Sequence, residues 1–354
     1  MAQTTKYYKD RKYVSYDEGY SWIPLDEYRK GDVIQDNSLD CGGTIPRYYR
    51  YKINYDNSAV YYFEDSYPPI DTYGYGIYQS DTKKFNTLYT SAISVIINPS
   101  YRQDIAQDAF SDFVNLKTVD FGNTLYVIGD RAFINCYKLE EAIMPDSIYK
   151  LWTSAFKNCK SLRTVHIPSG ITEISNDTFN GCHSLSSITI PTNITRIGFD
   201  AFKECHSLSS ITIPNSVTNI DVGAFSECIN LTSISIPNTI TAISSSLFNT
   251  CISLRNITIP ESITSIGDHA FNNCIRLESI TIPSAVTSIG SNVFERCISL
   301  KTITVLAATP PELQIDLGVV LSKLDNLYVP SESVQLYKET FPWSRYADII
   351  TPIV

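Results

Sequence analysis

The sequence predicts a repeat solenoid, a right-handed superhelix with one short parallel strand per coil, preceded by a separate β-rich domain. Two observations predict the solenoid. A phenylalanine recurs every 23 residues without a slip of register, and each phenylalanine is followed by a short strand pattern, x-x-I-x-I-P or a variant of it. A third observation predicts the other domain, because most of the 24 tyrosines lie at or before Tyr101.

Three apolar columns define the repeat. The phenylalanine column comprises Phe110, Phe133, Phe156, Phe179, Phe202, Phe225, Phe248, Phe271 and Phe294. A cysteine column follows three residues later, at Cys136, Cys159, Cys182, Cys205, Cys228, Cys251, Cys274 and Cys297, with Phe113 in the first slot. A leucine column comes next, from Leu116 to Leu300. No coil buries its own apolar face, so neighbouring coils must supply the core of each one.

Each coil carries one strand pattern, as in the segment from Ser187 to Pro191. Period-two alternation predicts that Ile188 and Ile190 point into the coil while Ser187 and Thr189 point outward. Proline ends the strand because it has no N–H to donate to the ladder. The proline column can be traced from Pro99 to Pro330, with one residue inserted before the last coil, and gives eleven strand-bearing coils within a solenoid spanning residues 91–330.

Both ends of the repeat depart from its pattern and are predicted to cap it. Residues 1–90 form a tyrosine-rich region with strand-like alternation, as in Tyr51–Tyr55, and are predicted to be a small β domain. Residues 331–354 lose the repeat pattern and are predicted to form a C-terminal cap. The apolar face of its short helix, broken near Pro342, is predicted to comprise Val334, Tyr337, Phe341 and Trp343.

The outward strand columns are the main candidate binding face, because they form a neutral, hydroxyl-rich surface. The candidate residues are Thr164, His166, Ser187, Thr189, Ser210, Thr212, Ser233, Ser235, Asn256 and Thr258. Their hydroxyls suit hydrogen bonds to glycans or to a peptide backbone, although Ser and Thr ladders also serve plain strand packing. Tyrosine, tryptophan and arginine, which dominate the energetics of many protein interfaces, are nearly absent from these columns.

A second candidate surface lies in the N-terminal region, where tyrosines cluster. The candidates are Tyr48, Tyr49, Tyr61, Tyr62, Tyr73 and Tyr75. Such rings either stack on sugars and fill a protein interface or form the core of a small β domain. The sequence leaves both interpretations open.

The periodic cysteines invite three interpretations: buried apolar thiols, disulfides or a metal site. Stacked identical positions all point the same way, which suits tetrahedral zinc poorly and favours buried thiols. His183 and His206 each follow a cysteine in successive coils, so a Cys-His metal pair is conceivable. The next coils carry Ile229, Ile252 and Ile275 at the same position of the repeat. This favours the interpretation that the position is variable and that its histidines have no function. Cys41 lies outside the column and is assigned no role.

Composition and motifs exclude several function classes. The net charge of -9 argues against nucleic acid as a partner. No apolar run reaches the length of a membrane span, so membrane insertion is not expected. Met1 leads into charged and tyrosine-rich residues rather than an export signal, which fits either a trimmed signal or release by phage lysis. No catalytic, phosphate-binding or dinucleotide motif is present, so neither an enzyme nor a cofactor is expected.

The repeat motif resembles the BspA-like subfamily of leucine-rich repeats, and it is nearly complete from Ala201–Phe202 to Ile220. The segment from Leu327 through Ser344 also resembles the terminal cap common in that family. The resemblance implies a cell-surface adhesin of the kind found in oral and gut bacteria, which binds matrix proteins or cells. It implies no catalytic residue.

The N-terminal region carries two shorter resemblances. Residues Ser15–Trp22 look like an Asp-box, S-x-D-x-G-x-x-W, a hairpin found in many β proteins. The wider stretch to Cys41 resembles a module of gut-bacterial surface proteins and of virion proteins of their phages. Two functions follow: non-enzymatic recognition of a cell-surface protein or glycan, or a structural or receptor-binding role in a phage virion, attached through the N-terminal domain. Both place the protein extracellularly, at a cell surface or on a virion.

Overall fold

The computed structural model describes residues 107–319 and 324–353, together with short strands between residues 4 and 105. The chain divides into two compact units, Met1–Gly170 and Ile171–Val354, each of which is treated by itself. Each unit contains coils of the predicted 23-residue repeat.

In the N-terminal part of the first unit, only the backbone of seven strands is described before the coils begin. These are β1 (Thr4–Tyr8), β2 (Arg11–Ser15), β3 (Ile23–Pro24), β4 (Ile34–Asp36), β5 (Tyr49–Ile53), β6 (Ala59–Phe63) and β7 (Gly76–Ile77). Strands β1 to β3 pair antiparallel in order, as do β4 to β6. The rest of residues 1–90, including most of the Asp-box-like segment, lies outside the described residues, so the predicted β domain remains a prediction.

The coils of the first unit contribute two series of parallel strands. The strands that end at the proline column are β8 (Ser94–Ile96), β10 (Thr118–Asp120), β12 (Glu141–Ile143) and β14 (Thr164–His166). Between them lie β9 (Gln103–Ile105), β11 (Leu125–Ile128) and β13 (Lys150–Leu151). Strand β8 pairs with β10 and β12 with β14, while β7, β9, β11 and β13 form one continuous sheet.

The second unit repeats this arrangement. Its proline-column strands are β17 (Ser210–Thr212), β19 (Ser233–Ser235), β22 (Ser279–Ile282), β24 (Thr302–Val305) and β26 (Asn326–Val329). Its other series comprises β15 (Glu173–Ile174), β16 (Arg196–Ile197), β18 (Asn219–Ile220), β20 (Ala242–Ile243), β21 (Ser265–Ile266), β23 (Ser288–Ile289) and β25 (Glu312–Leu313). The final strand β27 (Ile350–Pro352) pairs with β26. Every one of these pairings is parallel, as the repeat predicts.

The prediction of one strand per coil is incomplete, because the coils bear a second series of strands after the proline column, which are only two residues long throughout the second unit. On either side of β18, further backbone bonds reach the preceding coil: the N–H of Thr218 donates to the carbonyl of Thr195 at 2.9 Å. The N–H of Asp221 likewise donates to the carbonyl of Ile197 at 2.9 Å. Two residues are too few for period-two alternation to be recognised in a sequence.

The proline-column sheet is interrupted in the second unit. Among the described residues, Ser187–Ile190 and Asn256–Ile259 carry the strand pattern but form no strand. The central isoleucines of these two segments, Ile188 and Ile257, are half-buried, whereas Ile211 of β17 is buried. As a result, β17 pairs with β19 on one side and has no strand partner in the segment Ser187–Ile190.

The phenylalanine column forms the core of the second unit. The rings of Phe202 and Phe225 stack at a centroid distance of 5.5 Å with an angle of 1° between their planes. Phe179 stacks on the other face of Phe202 at 5.6 Å. All three side chains are fully buried.

A tight backbone turn positions each phenylalanine. The residues two before and two after Phe202, Asp200 and Glu204, have φ angles of 50° and 57°. These left-handed conformations, unusual for residues other than glycine, direct alternate N–H groups toward the next coil. The N–H groups of Phe202 and Glu204 each donate to that coil at 2.9 Å, to the carbonyls of Ala224 and Ser226.

The segment predicted to be the C-terminal cap consists of a 3₁₀ turn (Ser331–Ser333), the helix α1 (Val334–Glu339), a second 3₁₀ turn (Trp343–Tyr346) and β27. Tyr337 and Trp343 are buried, and their rings meet edge to face at 5.2 Å. The hydroxyl of Tyr337 donates to the carbonyl of Ala307, and the indole N–H of Trp343 to that of Pro311, both at 2.7 Å.

The predicted apolar face of this helix needs one correction. Phe341 is 72% exposed instead of buried, and Val334 is only half-buried. The helix ends at Glu339, and the following Thr340 has an extended ψ of 119°. Phe341 therefore leaves the helical register that would have aligned its side chain with Tyr337.

Replacing Trp343 with alanine is expected to lower the free energy of unfolding by about 3–5 kcal/mol, because it removes a fully buried ring and its hydrogen bond to Pro311. Chemical denaturation of the full chain measures this change. The exposed Phe341→Ala variant is the matched control, with an expected change below about 1 kcal/mol. Equal effects of the two substitutions would contradict the cap assignment.

Candidate functional site

All ten residues of the predicted binding face are exposed. Thr164 and His166 belong to the first unit, where they flank Val165 in β14. The other eight lie in the second unit: Ser187, Thr189, Ser210, Thr212, Ser233, Ser235, Asn256 and Thr258. The structure thus presents the hydroxyl columns to the surface, while their role in binding remains a proposal.

An open groove of ≈ 720 Å³ lies within this face in the second unit. It spans two successive coils and combines hydroxyl or amide groups with apolar side chains. Its lining residues are Ser187, Ile188, Thr189, Ile190, Thr192, Ser210, Ile211, Thr212, Pro214, Asn215 and Ser216. None of these residues is charged, so the groove offers hydrogen bonds and apolar contact but no ion pairs.

The interrupted sheet shapes this groove. Its lining includes the segment Ser187–Ile190, which carries the strand pattern without strand pairing, and β17 of the next coil. The half-buried Ile188 adds apolar surface between the exposed hydroxyls of Ser187 and Thr189. The groove therefore combines apolar surface with hydrogen-bonding groups from both coils.

His166 of the first unit is paired with an acidic side chain. Its Nε2 lies 3.4 Å from Oδ1 of Asp146, which also accepts the N–H of Ser169 at 3.4 Å. Both side chains are well exposed. The pair is an ordinary surface contact that leaves the imidazole accessible.

In the second unit, the structure brings His183 and His206 together on adjacent coils. Their rings stack with centroids 4.3 Å apart and 19° between their planes. The carboxylate of Glu204 lies 3.5 Å from Nε2 of His183. One ligand atom from each of the three residues lies within 4.8 Å of the other two.

The sequence anticipated the two histidines of this cluster but not its carboxylate. Cys205 and His206 do not form the Cys-His metal pair considered from the sequence, because Cys205 is buried in the core while His206 is partly exposed. Glu204 instead precedes His206 by two residues, and its left-handed backbone brings its side chain to the histidines. Burial, and secondarily the neighbouring His183, lowers the pKa of His206, which favours its neutral form.

The repeat cysteines are buried thiols, in agreement with the favoured interpretation. The Sγ of Cys228 donates to the carbonyl of Phe202 at 3.2 Å, and that of Cys251 donates to the carbonyl of Phe225 at 3.2 Å. Burial raises the pKa of the Cys228 thiol to about 12. The column therefore links each coil to the phenylalanine turn of the preceding one rather than offering reactive thiolates.

Sequence reasoning missed an aromatic surface in the first unit. Tyr126 and Tyr149 lie 6.1 Å apart in successive coils, and Trp152 is 45% exposed. The ammonium of Lys150 lies 4.8 Å from the centroid of the Trp152 ring. The sequence does contain a signal for this surface. Tyr126, Tyr149 and Trp152 lie in or beside the second-series strands β11 and β13, whereas the equivalent positions in the second unit carry mainly small polar side chains.

The tyrosine candidates of the N-terminal region are not resolved into a site. Tyr48, Tyr73 and Tyr75 lie outside the described residues. For Tyr49, Tyr61 and Tyr62 the backbone alone is described, in β5 and β6.

In the part of the chain that is described, no helix combines the length and apolar character that a membrane crossing requires.

A family model described as "BspA type Leucine rich repeat region" matches the chain in six copies, over residues 83–209 and 195–309. No curated protein matches the chain.

Several solved structures are similar to this one. A leucine-rich repeat protein from Bacteroides ovatus is 22% identical, with a TM-score of 0.47 over 81% of this chain and 71% of its own. A leucine-rich cell surface protein from Faecalibacterium prausnitzii is 23% identical, with a TM-score of 0.44 over 79% and 93%. The pneumococcal vaccine antigen PcpA is 17% identical, with a TM-score of 0.47 over 92% and 98%.

Proposed function

Because the chain belongs to the BspA-type leucine-rich-repeat family, we propose that it is a non-enzymatic, extracellular surface protein that recognises a partner protein on a cell or its matrix. The binding site is the hydroxyl-lined groove of the second unit. The observation that carries the proposal is the groove itself, which is open and lined by uncharged residues of two successive coils.

The chemistry of the groove favours an extended segment of protein as its ligand. Side-chain hydroxyls of Ser187, Ser210 and Thr212 both donate and accept hydrogen bonds, so they match peptide N–H and C=O groups. The apolar lining of Ile188 and Ile211 suits contact with apolar side chains of such a segment. A glycan is the weaker fit, because the lining contains no aromatic ring on which a sugar could stack.

The same lining argues for recognition rather than catalysis. A serine or threonine hydroxyl acts as a nucleophile only when an adjacent base removes its proton. The residues that line the groove include no histidine, carboxylate, lysine or cysteine. Its hydroxyls are therefore hydrogen-bonding groups.

The proposal is tested by measuring binding of the labelled full-length chain to immobilised basement-membrane extract and to intact epithelial cells. Saturable binding is expected. Thr212→Arg, which places a large cation in the groove, is expected to weaken binding at least tenfold, equivalent to about 1.4 kcal/mol.

Thr281→Arg is the matched control, since Thr281 is an equally exposed threonine of the same column but lies outside the groove. It should bind like the unmodified chain. Equal loss in both variants, or no saturable binding at all, would contradict the proposed site. Treating the extract with glycosidases separates the ligand classes, because loss of binding would identify a glycan and overturn the protein assignment.

A further inference from the structure

The cluster on the outer surface of two adjacent coils in the second unit has the chemistry of a metal site. We propose that His183, Glu204 and His206 together bind one divalent transition-metal ion of the zinc type. Two imidazoles and one carboxylate are a common set of protein ligands for zinc, with solvent in the fourth position. The cluster is separate from the groove, since none of its three residues lines the groove.

The distances between the three potential ligand atoms are compatible with a site that contracts slightly when it binds an ion. Ligand atoms in a tetrahedral zinc site lie about 3.4 Å apart, given bonds of about 2.1 Å. Here the three ligand atoms already lie within 4.8 Å of one another. All three side chains are only half-buried, so small rotations about their side-chain torsions bring the atoms to bonding distance.

The backbone holds the three residues in place before any ion arrives. The N–H of His206 donates to the carbonyl of Glu204 at 2.8 Å, which fixes these two residues in one turn. The N–H of Ser207 donates to the carbonyl of His183 at 3.0 Å, which ties the second coil to the first. The ligands thus sit on adjacent rigid coils, and the cost of ordering them is small.

The electrostatics of the cluster also favour a cation. The nearby ammonium of Lys203 pairs with Glu227 at 3.7 Å and Asp200 at 3.8 Å. Its positive charge is therefore largely offset by carboxylates.

The repeat supplies an internal comparison. In the next coil, Ile229 occupies the position of His206, and Glu227 occupies that of Glu204. The same backbone therefore presents a carboxylate without imidazoles. Among the residues that the structure describes, only this cluster brings three potential ligands together.

Isothermal titration of the EDTA-treated full-length chain with ZnCl₂ tests the proposal. One ion per chain is expected, accompanied by a rise in melting temperature because the ion binds the folded state. MgCl₂ is expected to give neither effect, since magnesium prefers oxygen ligands. Absence of zinc binding would overturn the proposal.

Variants locate the site. His206→Gln and Glu204→Gln are each expected to weaken zinc binding at least tenfold while leaving the melting temperature in EDTA unchanged. His269→Gln is the matched control, because His269 faces only one carboxylate, that of Glu295 at 4.0 Å. Cys41→Ser should also retain one ion per chain. Unaltered binding in His206→Gln, or loss in His269→Gln or Cys41→Ser, would place the ion elsewhere and contradict the assignment.

Discussion

Raising the pH from 8 to 10 is expected to lower the free energy of unfolding by several kcal/mol (on the order of 5–10) through the buried cysteine column. Burial raises the pKa of six thiols above the ordinary value near 9. They are Cys136, Cys205, Cys228, Cys251, Cys274 and Cys297. Each contributes about 1.4 kcal/mol over this interval, since one pKa unit is equivalent to that free energy.

The sign follows from the protonation of the two states. Between pH 9 and 12 the unfolded chain releases its thiol protons, whereas the folded chain retains them. Because the unfolded state then binds fewer protons, stability falls as pH rises. The contribution is complete below about pH 9, and for Cys228 and Cys297 it is lost as the pH approaches about 12.

Denaturant unfolding at pH 8, 9 and 10 in the presence of reductant measures this effect. The double variant Cys228→Ala/Cys251→Ala should lose about 2.8 kcal/mol less stability between pH 8 and 10 than the unmodified chain. The buried hydroxyls of Tyr337 and Tyr346 titrate equally in both proteins, so the difference reports the thiols. Parallel pH profiles would show that the thiols are not buried.

Replacing Phe202 with alanine is expected to lower the free energy of unfolding by about 3–5 kcal/mol. The ring is fully buried and stacks at 5.6 Å on Phe179 and at 5.5 Å on Phe225. The neighbouring rings are held by the backbone bonds of their own turns, so they cannot move to fill the space. The lost contacts therefore come with a cavity.

Phe199→Ala is the matched control in the same coil, since Phe199 is 44% exposed. Its expected effect is below about 1 kcal/mol. Both values are measured by chemical denaturation at pH 7. A change of less than about 1 kcal/mol for Phe202→Ala would show that the phenylalanine column is not the core.

The core and the outward columns could be predicted from the sequence because they depend only on spacing. Phe202, Cys205 and Leu208 recur in register, so each must occupy the same place in every coil, and only the interior suits all three. The alternation of Ser210 and Thr212 with Ile211 fixes which side chains face outward. The structure agrees on both points.

Other features could not be predicted because they depend on local backbone conformation. The two-residue strands are shorter than any recognisable alternation. The approach of Glu204 to His183 depends on a left-handed backbone, which a glutamate does not signal. The groove is lined by Ser187–Ile190, which forms no strand although its sequence follows the same pattern as Ser210–Ile213.

The uniform register between coils also bears on how such a chain changes over generations. Side-chain and backbone bonds between coils repeatedly join residues 23 apart, as between Thr218 and Thr195. Unequal recombination between repeats adds or removes a whole coil and leaves every such bond intact. A gene of this design can therefore vary in copy number while its protein still folds, whereas an insertion of any other length must be absorbed in a loop.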